Sequence, residues 1–142
     1  MAEYSYPLVQ TVEADENVLF LNGNRCCRKG LVLHNDSSGI FRLKGASGTF
    51  RTMYKVQFNA NIAVAEGGTI EPISIAIVQN GEVLRNAVAT VTPVAIGDFF
   101  NVSIATFIEI PCNCCDTIAI QNISDTTAID VINANLIIER VA

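Results

Sequence analysis

The chain has 142 residues, half of them hydrophobic and only 16% charged, with nine Lys and Arg against fourteen Asp and Glu. One domain of this length buries a core of its own. The net charge of −5, with no basic cluster beyond Arg25, Arg28 and Lys29, argues against nucleic-acid binding by phosphate neutralisation. No apolar run approaches the ~20 residues of a bilayer span, so no membrane partner is expected either.

Residues 1–10 read as a short N-terminal arm ahead of a single domain over 11–142. The arm has no cationic stretch followed by an apolar one, which predicts synthesis and folding in the cytosol without a Sec-type signal peptide. It is either a frayed end or a docking arm whose contact side chains are Tyr4, Tyr6 and Leu8.

From there onward the periodicity is that of strands, and no segment has the spacing of an amphipathic helix. Short β-rich runs cover 18–21, 31–34 and 40–43, with a polar loop over 35–39 between the last two. Over 54–64 the alternation is clear: Tyr54, Val56, Phe58, Ala60, Ile62 and Val64 fall on one face, and Lys55, Gln57, Asn59 and Asn61 on the other. Glu66-Gly67-Gly68 breaks this strand from a run over 70–79. Asn80-Gly81 then fits a type I′ hairpin turn into a run over 82–92. Thr92-Pro93 and Ile110-Pro111 end strands, since proline cannot donate to a ladder.

Val102, Ile104, Thr106, Ile108 and Ile110 alternate with Ser103, Ala105, Phe107 and Glu109. A further run covers 118–122. The last strand alternates Ile132, Ala134, Leu136 and Ile138 with Asn133, Asn135, Ile137 and Glu139. So many short strands in one domain predict an all-β antiparallel sandwich or jelly roll. Several strands are apolar on both faces, as at Ile73, Ile75 and Ile77 against Ala76 and Val78. The second face needs cover from loops or from another subunit. The low charge points the same way, since an average domain is about one quarter charged.

Five cysteines form two clusters: Cys26 and Cys27, then Cys112, Cys114 and Cys115. Their spacing is not that of a zinc site, and no metal or cofactor is expected. Disulfides between the clusters and reduced thiols used as packing residues both remain open; an odd count leaves at least one thiol free or paired between chains. His34 is the only histidine, and no nucleophile signature accompanies it, so no catalytic residue is assigned. Asp15, Glu16, Asp36, Asp116, Asp125 and Asp130 are scattered through loops without the array that calcium requires.

In strand order and motifs the chain, over about 10–142, resembles the C1q/TNF-like jelly-roll superfamily. Val12 with Val18-Leu19-Phe20 is similar to its first strand, and Tyr54-Lys55-Val56-Gln57-Phe58 to its core strand. Ser103 to Ile110 followed by Asp116-Thr117-Ile118-Ala119-Ile120, and Ala134-Asn135-Leu136-Ile137-Ile138, resemble its later strands. Thr52 and Cys115-Asp116 stand where the family often has glycine and Gly-Asp. The chain is also similar to small proteins encoded in prophages of gut Firmicutes.

The resemblance implies a non-enzymatic homotrimer. Its interface candidates are Tyr54, Val56, Phe58, Phe99, Phe100 and Phe107. The expected role is a decoration component of a bacteriophage virion, a head-surface cement that contacts capsid proteins and is made in the host cytoplasm. The alternatives are a carbohydrate- or receptor-binding head of a phage fibre, which would take a surface glycan, and a spore-surface protein of the same fold. An enzyme of cupin type would need more than one metal-binding histidine.

Overall fold

The alternation over 54–64 builds the longest strand in the computed structural model of the chain. The structure describes residues 2–25, 31–35, 37–48, 50–111 and 115–142, with the backbone alone at 22–25. In chain order the strands are β1 (Ala2–Tyr6), β2 (Gln10–Val12), β3 (Leu21–Arg25), β4 (Val32–His34), β5 (Ile40–Lys44), β6 (Arg51–Val64), β7 (Ile73–Gln79), β8 (Glu82–Val91), β9 (Phe100–Pro111), β10 (Cys115–Asn122) and β11 (Ile129–Arg140). No helix occurs among the described residues.

One sheet runs β3-β1-β11-β6-β9, with β2 also on β11; the other runs β4-β5-β10-β7-β8. The antiparallel pairings are nested: β7 with β8, β6 with β9, β5 with β10, and β1 and β2 with β11. A long hairpin rolled into two layers in this way is a jelly roll. Its tip is Asn80-Gly81, where both residues have positive φ, 51° and 83°, as a type I′ turn requires. Asn80 Oδ1 accepts the Thr117 N–H at 2.9 Å and so pins the tip to β10.

The core lies between the sheets. Phe20, Phe41, Tyr54 and Phe58 are fully buried, and branched side chains such as Ile62, Ile75, Ile77, Ile108 and Ile110 fill the space around them. Phe20 meets Phe41 and Phe58 edge to face, with ring centroids 5.5 and 6.2 Å apart. The buried polar groups are built in. Thr52, where the resembled family often has glycine, accepts the Ala46 N–H at 2.7 Å, and Tyr54 donates its hydroxyl to the Lys44 carbonyl at 2.6 Å.

Three sequence expectations change. First, residues 2–6 are not a separate arm. They form an interior strand between β3 and β11, because Ala2 and Tyr4 point into the core. Second, β11 does not keep one parity. Asn133 has a φ of 57°, and between the Ile132 and Asn135 pairs two residues of β11, Asn133 and Ala134, face one of β6, Ala60. This bulge flips the alternation, so the inward set is Ile129, Val131, Ala134, Leu136 and Ile138, and Ile132 turns to the outer face. Third, Ala76 and Val78 are covered without a partner. They lie on the outer face of their sheet at 0% and 4% exposure, short side chains shielded by their neighbours in the same chain.

Candidate interaction surface

Tyr54, Val56 and Phe58 are not interface residues. Each is at 0% exposure within the single chain, because β6 directs its even-numbered side chains at the opposite sheet. No surface is left on them for a second copy. Phe99, Phe100 and Phe107 differ: they are 44%, 37% and 62% exposed.

Phe107 belongs to β9, which is an edge strand paired only with β6. Its inward residues, Val102 to Ile110 on the even positions, hold it to the core. Outward it presents Asn101, Ser103, Ala105, Phe107 and Glu109. Only the last is charged, and it pairs with Arg51 at 3.1 Å. Edges are normally blunted by lysine, proline or a bulge. Here proline comes only at the final position, and the register with β6 is unbroken over twelve pairs.

The sheet face beside this edge carries Arg51 and Lys55 at one end and is uncharged from Gln57 to Asn61. Gln57, Asn59 and Asn61 point outward from β6, and the Asn101 amide donates to Asn59 Oδ1 at 3.2 Å and to Asn61 Oδ1 at 3.1 Å. Phe107 stands opposite Lys55 and walls a hollow of about 260 Å³ with Ala105 and Asn86. β8, the edge of the other sheet on the same side, adds Val83 and Val88, each 38% exposed. The result is one flank with two free edges, exposed phenylalanine and little charge.

The remaining sequence candidates scatter. Tyr4 is buried, with its ring 4.7 Å from Phe41 and 4.9 Å from His34, so it docks on its own chain. Tyr6 packs partly against the core. Leu8 alone of the three is well exposed, at 69%. His34 stacks on Phe41 with centroids 4.3 Å apart, and its Nε2 lies 2.8 Å from the Ser38 carbonyl, which it meets as donor. The register places His34 in line with Phe41 and Ile118, three positions along β10 and two strands across from Cys115, or roughly 14 Å. That separation rules out a Cys115–His34 dyad.

Cys26, Cys27, Cys112 and Cys114 lie outside the described residues. Cys115 is exposed, with its thiol free. The described residues flanking both cysteine segments meet at one strand end: Lys44 donates to the Leu31 carbonyl at 2.9 Å and is paired with Cys115. Asp36 is likewise outside the described residues. Asp130 accepts from Thr11 Oγ1 at 2.7 Å and Asp116 from Gln79 Nε2 at 2.8 Å. Among the described residues no three His, Cys, Asp or Glu side chains converge as a metal site would need.

No family model matches the chain, and no curated protein sequence matches it. Among solved structures it is similar to rabbit GITRL, at 15% identity over 78% of this chain and 77% of that one, with a TM-score of 0.45. It is similar to the CBM22-1 xylan-binding domain of Paenibacillus barcinonensis Xyn10C at 9% identity, covering 99% of this chain and 88% of that one, with a TM-score of 0.40. A third is the C-terminal domain of EclA, a sugar-binding protein, at 12% identity over 78% and 84% of the two chains and a TM-score of 0.36. The jelly-roll assignment rests on the nested strand pairing of the chain itself.

Proposed function

We propose that the chain is a non-enzymatic structural protein that closes into a homotrimer and decorates the surface of a bacteriophage particle. The observation that carries the assembly step is the bare β9 edge with Phe107 on it. A long edge whose one outward carboxylate is ion-paired is a template for association unless something covers it, and a patch that joins exposed phenylalanine to a largely uncharged face has the composition of an interface core. A second copy related by a closed rotation covers such an edge in every subunit at once, which an open stack does not. The virion placement rests on the resemblance to prophage-encoded proteins given above, and a capsid protein is the partner proposed with it.

Light scattering tests the assembly. The expected mass is about three times the 15.3 kDa of one chain. Phe107→Asp should release monomers whose circular dichroism is that of the parent. A wild-type monomer at micromolar concentration refutes the trimer. The placement is tested separately by mass spectrometry and electron microscopy of purified phage particles with and without the gene. Particles that lack the chain refute it.

A further inference from the structure

The outer face of the β4-β5-β10-β7-β8 sheet carries a groove that the proposed assembly does not use. One hollow of about 430 Å³ is lined by Leu33, His34, Asn35, Ser38, Ile40, Arg42 and Thr117. It continues through Ile40 and Thr117 into a smaller hollow of about 130 Å³, where Val78 and Ala119 form the floor and Asn17 and Gln121 the rim. The register explains the shape. Leu33, Arg42 and Thr117 form one cross-strand row, and Ile40, Ala119 and Val78 the next. Small or short side chains in the middle of the second row leave the depression, which crosses four strands, or about 14 Å.

Its electrostatics are unlike those of the rest of the chain. Arg42 and Lys44 point outward from β5 and are exposed, and neither has an ion pair or side-chain hydrogen bond among the described residues. The other outward residues of β4, β5, β7 and β10 on this face are Leu33, Ile40, Ser74, Ala76, Val78, Cys115, Thr117, Ala119 and Gln121, with no carboxylate among them. On a chain of net charge −5, the described residues of these four strands thus present two cations and no carboxylate on this face, and it suits an anion.

The neutral lining narrows the class. Amides and hydroxyls of Asn35, Ser38, Thr117, Asn17 and Gln121 offer both donors and acceptors, as a polyhydroxylated ligand needs. Leu33 and Ile40, 40% and 51% exposed, offer aliphatic ledges for C–H faces. One guanidinium is enough for a carboxylate, which it grips through two parallel N–H bonds. Phosphate recognition more often uses clusters of arginine.

We propose that this groove binds an oligosaccharide carrying a sugar acid, with the Arg42 guanidinium on the carboxylate and the polar rim on the hydroxyls. The site goes beyond the assembly role and does not depend on it.

Calorimetry on the full chain tests it with trigalacturonic acid, its methyl ester, sialyllactose and triglutamate. The expected result is binding of at least one of the two acidic sugars. For trigalacturonic acid, the ester and the triglutamate should each bind at least about tenfold more weakly, the scale of one lost charge-assisted contact. Arg42→Ala and Arg42→Gln should lose the same factor, and Arg42→Lys should recover only part of it. Phe107→Ala, on the other sheet, should bind as the parent does. The proposal is overturned if neither acidic sugar binds at millimolar concentration, if ester or triglutamate binds as well as the acid, or if the Arg42 variants bind like wild type.

Discussion

Asn122 holds one end of the sandwich together, and replacing it should be costly. The side chain is fully buried. Its Nδ2 donates to the carbonyls of Val12 and Thr127 at 3.0 and 3.1 Å, and its Oδ1 accepts the Ser124 N–H at 3.0 Å. Its backbone receives Asp15 N–H and donates to Glu16 C=O. One residue thus ties β2, the segment that crosses between the sheets, and the loop after β10. Asn122→Ala deletes three bonds and leaves two carbonyls and one N–H without those partners. At about 1 kcal/mol per bond, with some added cost for the stranded groups, the loss is about 3–4 kcal/mol. A chain of 142 residues has an unfolding entropy near about 0.3 kcal/mol/K, so Tm should fall by about 10–13 °C.

Asn122→Asp sharpens the test. It keeps the acceptor for Ser124 but turns a second carboxylate oxygen towards the Val12 and Thr127 carbonyls. Only the protonated form can donate to one of them, so the folded state raises the pKa of this group above its unfolded value of about 4. The variant is then closest to wild type below about pH 4 and falls behind as pH rises through the folded pKa. Urea unfolding followed by circular dichroism between pH 3 and 8 measures both effects, at one chain concentration because association couples to folding. An Asn122→Ala loss under about 1 kcal/mol, or an Asn122→Asp deficit that does not change with pH, would refute the reasoning.

Phe58→Ala should destabilise the chain by about 3–5 kcal/mol, the usual cost of emptying a closed aromatic site, whereas Phe107→Ala should change unfolding of the chain little and weaken association instead; urea midpoints and light scattering on both variants separate the two roles. Gly81→Ala places a Cβ at a φ of 83° and should cost about 1 kcal/mol by thermal unfolding. Cys115 should react with a maleimide in the native protein, and Cys115→Ser should leave the midpoint within about 0.5 kcal/mol of wild type; peptide mapping that finds Cys115 unlabelled contradicts the exposed thiol.

Much of the fold can be read from residue order. β6 and β9 are legible because in each every second residue is apolar and branched or aromatic over most of its length, and a period of two admits no other element. The Asn80-Gly81 tip is legible because few other pairs accept positive φ at both positions. β1 is not legible, because Ala2, Tyr4 and the polar residues between them look alike in a tail and in a short strand. The β11 bulge had one local sign, an asparagine where the backbone turns left-handed, and that sign is common to many turns.

Which phenylalanines are buried is illegible for a deeper reason. A phenylalanine that faces its own second sheet and one that stands exposed on the outer face obey the same pattern, so residue order alone does not divide Phe58 from Phe107. That division depends on which sheet lies across from each strand, a long-range pairing. The groove beside Arg42 is a stronger case. Its rows join Leu33, Arg42 and Thr117 from three strands, and nothing local ties residue 42 to residue 117. Local chemistry determined where the strands and the tip fall, because alternation and turn geometry act over a few residues. Only tertiary structure decided which apolar face is core, which edge is bare, and which residues share the outer face with Arg42 and Lys44, because those depend on which strands become neighbours.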